Sequence, residues 1–107
     1  MRLYHGSHDS LKPGDVLRPG HAVNHALSTG KDVYTHPDPG MARVFAQDFH
    51  GKRAAVYEVE APGARPDMAD DPWNSQHLSR HAVVKRVVPD HEVEAISNHL
   101  HERGLVA

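Results

Sequence analysis

The stretch "LYHGS", residues 3–7, decides how this chain is to be read. Arg2, Leu3 and Tyr4 predict a short strand that ends at His5-Gly6, with a histidine between an aromatic residue and a glycine. A histidine so placed can bond to backbone at a strand end, ligate a metal, or begin a nucleotide pocket. Its possible partners lie further along the chain.

The 107 residues predict one domain, and 38% hydrophobic against 24% charged residues predicts a small core with a large share of loop. The net charge is −2 with neutral histidines, and no basic stripe stands out, so a nucleic-acid partner is not favoured. Cysteine is absent, which excludes disulfides, thiolate zinc sites and a thiol nucleophile. No basic-then-apolar leader is visible, and no apolar run approaches the ~18 residues of a membrane span. A soluble, cytoplasmic protein without a membrane partner is expected. It is taken as a monomer.

From Ser7 to Lys31 three turn signals, "KPGD", "RPGH" and "STG", predict a long irregular stretch. "DVYT" (32–35) predicts a second short strand. Asp38 before Pro39 is a strong helix start, with Met41, Val44, Phe45 and Phe49 as its apolar face and Gly51 as its stop. "AAVYEVE" (54–60) alternates as a strand with one buried face. Pro62 to Ser79 reads as irregular, Val83 to Val88 as a strand, and Asp90 as the cap of a last helix carrying Val93, Ile96 and Leu100 and closing near Gly104. Two irregular segments on a small sheet are where a ligand is expected.

The eleven histidines suggest a metal first. His21 and His25 stand four apart, as do His77 and His81, but that spacing joins two imidazoles only on a helix, and both pairs fall in predicted loops. No HExxH is present, so surface histidine is preferred and no metal is expected. GxGxxG, GxxxxGK[ST] and GxSxG are also missing. What remains is three blocks: "LYHGS" at 3–7, "DVYTH" at 32–36 and "DDPW" at 70–73. Singly, His5 reads as a strand-end histidine, Tyr34 as a strand tyrosine and Asp70-Asp71-Pro72 as an acidic turn.

Taken in order, His…Tyr…acid resembles the diphtheria-toxin and poly-ADP-ribose-polymerase branch of the ADP-ribosyltransferases, and most of all the small rifamycin ADP-ribosyltransferases, the Arr family. The opening "YHGSHDSLKPGDVLRPG" is similar to that family's first block, and "DVYTH", "VYEVEAPG", "DDP" and the closing "ERGLV" follow in the family's order. The chain departs from the pattern after the DDP: that loop is shorter here, and His81 stands where the family has a glutamate.

The resemblance implies an α+β, small ADP-ribosyltransferase-like fold: two packed β-sheets of short strands, about two helices and long irregular loops. It implies NAD as co-substrate and a hydroxyl of a rifamycin-type antibiotic as acceptor. By it His5 would bond a ribose hydroxyl, Gly6 would offer backbone N–H and C=O to the nicotinamide amide, and Ser7 and Asn24 would add contacts. Tyr34 would stack on the nicotinamide ring. Asp71 would supply the carboxylate that stabilises an oxocarbenium-like transition state, with Asp67 as the alternative acid. Trp73, Phe45 and Leu78 are the candidates for an apolar acceptor pocket. The same NAD chemistry with protein, nucleic acid or water as acceptor, a non-catalytic binding module and a histidine-rich metal binder are the alternatives.

Overall fold

The computed structural model describes residues 2–19, 32–66 and 76–105, apart from the side chain of Phe49. In chain order these form β1 (Leu3–His8), β2 (Val16–Leu17), β3 (Val33–Thr35), α1 (Pro39–His50), a 3-10 turn (Gly51–Arg53) and β4 (Ala54–Glu60). Then come β5 (Arg65–Pro66), β6 (His77–Ser79), β7 (Ala82–Val88) and α2 (Asp90–Glu102). The strands make two antiparallel sheets, a four-stranded one in the order β1-β4-β7-β2 and a three-stranded one in the order β3-β6-β5. This is the expected α+β class with two helices and two sheets. None of the described helices is long and apolar enough to cross a membrane.

The first strand does not stop at His5-Gly6; it continues to His8, paired with β4 from Leu3↔Val59 to His8↔Ala54. The two stretches read as irregular also hold short strands, β2 in the first and β5 and β6 in the second. Two or three residues are too few for a period-2 pattern to be seen, so only their pairing partners reveal them.

β4 departs from its expected single buried face: Val56, Tyr57, Glu58 and Val59 are all buried. It lies inside the four-stranded sheet, which is covered on both sides. One face packs Leu3, Tyr57, Val59 and Val84 with Leu11, Leu17 and Val33. The other packs Tyr4, Val56 and Val88 against Ala42 of α1 and Val93 of α2. β7 serves both clusters through a bulge at Lys85: Val59 pairs with Val84 but Glu58 with Arg86, so the side chains beyond the bulge change face.

α1 is capped as expected, Asp38 Oδ1 accepting from the Gly40 amide at 2.9 Å and Pro39 opening the first turn. Its buried face is another matter. Ala42 and Ala46 face the sheet, Val44 is half exposed, and Phe45 stacks on His36 with ring centroids 5.0 Å apart. The helix axis comes so near β1 that only small residues fit between them. The cap position of the last helix is Pro89, whose side chain makes no cap bond; Asp90 is the first helical residue, and Gly104 closes the end at φ 68°.

Glu58, buried on the helix face, receives Arg86 Nε at 3.1 Å and Lys85 Nζ at 3.6 Å. Arg86 also grips the Glu92 carboxylate, its Nη1 and Nη2 donating at 2.9 and 2.7 Å, so one guanidinium ties the sheet to the first turn of α2. The hydrogen bonds from Arg86 hold the Glu92 carboxyl below the usual glutamate range. A carboxyl lowered on folding adds stability above its unfolded pKa and loses it as pH falls through the folded value. Thermal melts are therefore expected to show stability falling in acid below the ordinary glutamate range. Arg86→Met should lower stability at neutral pH and shrink that acid limb; an unchanged limb would show that the pair contributes nothing to it.

Candidate active site

The site is built where the two sheets meet. β1 is an edge strand, and at Tyr4 its outer edge is bridged to His36: the Tyr4 amide donates to the His36 carbonyl and the His36 amide to that of Tyr4, both at 2.8 Å. Had the pairing continued, Gly6 would face Tyr34. Instead the strands part, and His5 Nδ1 donates to the Tyr34 carbonyl at 2.7 Å. A carbonyl can only accept, so Nδ1 carries the proton, and in the neutral ring Nε2 is the acceptor. His5 itself is buried.

The parting matters for Gly6. In an antiparallel ladder alternate residues turn their amides to alternate edges, so Gly6 points its N–H and C=O the same way as Tyr4, outward from β4. An edge that offers one donor and one acceptor side by side is what a carboxamide requires. Ser7 is wholly buried, and its Oγ has no hydrogen-bond partner among the described residues. An orphaned buried hydroxyl is rare in a folded protein and suits a polar ligand contact.

Gly6 has a packing role that carries no signal in the sequence. A Cβ there would overlap the Ala42 carbonyl oxygen and come within 2.7 Å of Ala46 Cβ. The glycine is where α1 crosses β1. His36 carries no such signal either, because its bridge to Tyr4 is a backbone contact.

Tyr34 is only partly buried and pairs with Leu78, so the two lie side by side on one face of the small sheet. Phe45 lies elsewhere: it belongs to α1, on the face of the large sheet opposite His5. Asn24, Asp67, Asp71 and Trp73 fall outside the described residues. Tyr4 and Tyr57 are buried strand tyrosines that pack the sheet. Tyr57 Oη donates to the His8 carbonyl at 2.6 Å and accepts from the Leu11 amide, and burial raises its pKa.

Among the described residues no three His, Asp or Glu side chains are close enough to hold a metal ion. An apolar cleft of about 590 Å³ opens between Tyr4, Pro37 and the α2 residues Ile96, His99 and Leu100. Of the three blocks only Tyr4 contributes to its lining, and it lies on the helix side of the sheet, on the face opposite His5. The chain matches no protein-family model and no curated protein.

Proposed function

We propose that this protein is an NAD-dependent ADP-ribosyltransferase that moves ADP-ribose to a hydroxyl of a rifamycin-type acceptor and releases nicotinamide. The observation that supports this reading best is the His5 ring bonded to the Tyr34 carbonyl, beside the outward-facing amide of Gly6. Two of the three blocks that carry the resemblance are neighbours in space, although 29 residues separate His5 from Tyr34 in sequence.

The resemblance gives each residue a task, and the surroundings of His5 and Gly6 suit theirs. The proton on Nδ1 is held by the Tyr34 carbonyl, and Nε2 of the neutral ring is an acceptor by its chemistry, which is what a ribose hydroxyl would need for the sugar to be fixed. The Gly6 edge would hold the nicotinamide amide, with Ser7 Oγ as a further contact. The Tyr34 ring would lie on the nicotinamide, an aromatic contact of about 1 kcal/mol beyond area burial. Breaking the nicotinamide–ribose bond leaves positive charge at the anomeric carbon. Asp71, or Asp67 in its place, is the carboxylate proposed to stabilise that charge. Leu78 beside Tyr34 and Trp73 after the DDP are proposed for the acceptor pocket.

Incubating the purified protein with NAD should release nicotinamide, and added rifampin should gain the mass of one ADP-ribose. Asp71→Ala should abolish both. Loss in Asp67→Ala with full activity in Asp71→Ala would move the acid to Asp67. Nicotinamide release that ignores rifampin would point to water or a macromolecule as acceptor. Failure to bind NAD in calorimetry would end the enzyme reading.

A further inference from the structure

The outward face of the small sheet carries charged residues beside Tyr34. Tyr34 pairs with Leu78 and Leu78 with Arg65, so the three form one row across β3, β6 and β5. Their neighbours Val33, Thr35, His77 and Ser79 are buried, so the row faces away from the core. Asp32, two residues before Tyr34, shares that face.

Arg65 reaches across β6 to Asp32, its Nη2 donating to Oδ1 at 3.4 Å. With strands ~4.8 Å apart and ~3.3 Å per residue, the guanidinium comes to rest on the β3 side, about 7 Å along the strand from Tyr34. Asp32 is its partner among the described residues. The Arg65 side chain is 57% exposed and that of Asp32 13%, so the carboxylate anchors one edge of the fork while the other stays in water. Arg80, just after β6, stands opposite Asp32 on the continued register, so among the described residues Arg65, Arg80 and Asp32 together give this end of the face a net positive charge.

We propose that Arg65 recognises a phosphate of the molecule whose flat ring lies on Tyr34; on the reading above, which this rests on, that is the diphosphate of NAD. In a dinucleotide one ribose separates the nicotinamide from the first phosphate. A ring on Tyr34 therefore brings the phosphate within reach of a cation farther along the same face. Guanidinium suits a phosphate because it can donate in parallel to two oxygens. Asp32 is a positioning residue that holds the fork over the sheet.

Calorimetry with NAD, nicotinamide mononucleotide and nicotinamide riboside tests this, because only the riboside lacks a phosphate. Arg65→Gln should raise Kd for NAD and the mononucleotide by about tenfold and leave the riboside unchanged. Arg65→Lys should recover part of the loss, and the wild-type preference for the mononucleotide over the riboside should shrink with added salt. Circular dichroism should show both variants folded, since the side chain is exposed. Equal affinity of Arg65→Gln and wild type for NAD would overturn the assignment, as would an equal loss for the riboside. Slower transfer to anionic acceptors alone, with NAD binding unchanged, would overturn it too and assign Arg65 to the acceptor. A wild type that binds none of the three would overturn this assignment and the transferase reading together.

Discussion

Gly6→Ala is expected to lower the melting temperature by roughly 10 °C or more, from an overpacking cost of about 3 kcal/mol. The added methyl would overlap the Ala42 carbonyl oxygen and stand 2.7 Å from Ala46 Cβ. Neither neighbour can rotate away: one is backbone and the other is fixed to it. α1 would have to lift from β1, opening the cluster of Tyr4, Ala42, Val56, Val88 and Val93. Adding Ala46→Gly should recover only part of the loss, because the carbonyl contact stays. Thermal unfolding of the single and double variants measures this directly, and an unshifted midpoint in Gly6→Ala would show that the helix can move aside freely.

His5→Asn should separate chemistry from folding. The asparagine amide nitrogen occupies much the same place as Nδ1 and can still donate to the Tyr34 carbonyl, whereas nothing replaces Nε2. On the proposed mechanism nicotinamide release should drop by about 100-fold or more while the melting temperature moves little. His5→Ala should lose the same activity and, in addition, about 1–3 kcal/mol of stability, because it leaves the Tyr34 carbonyl without its donor. Near-normal nicotinamide release by a folded His5→Asn protein would leave the histidine a purely structural bond. The bland reading of a strand-end histidine and the functional one meet in this single residue: one ring nitrogen serves the fold, and the other is proposed to serve the ligand.

Much of the local structure was legible because its signals are local. Asp38-Pro39 opens α1, Gly51 ends it, and "AAVYEVE" is a strand. The departures from local pattern share a cause. The largest apolar residues of α1 predict one face, but the helix buries Ala42 and Ala46, because close approach to β1 selects for small side chains. Alternation reports polarity and so predicts a one-sided β4, whereas Glu58 is buried on the strength of Arg86 and Lys85, residues 28 and 27 positions away. β2, β5 and β6 exist through their partners alone.

The candidate site divides the same way. Residue types and order determined which groups were worth considering, His5, Gly6, Ser7 and Tyr34 among them, since chemical capacity belongs to the side chain or to the lack of one. Only the tertiary structure decided how they meet. The Tyr4–His36 bridge ends where it does, so the strands part, His5 takes the Tyr34 carbonyl, and the Gly6 amide is left facing outward. It also brought Arg65 alongside Tyr34, across three strands that no sequence pattern joins. Sequence spacing specifies neighbours along a helix or strand, whereas contacts between strands depend on pairing register, which is set by the packing of the whole sheet.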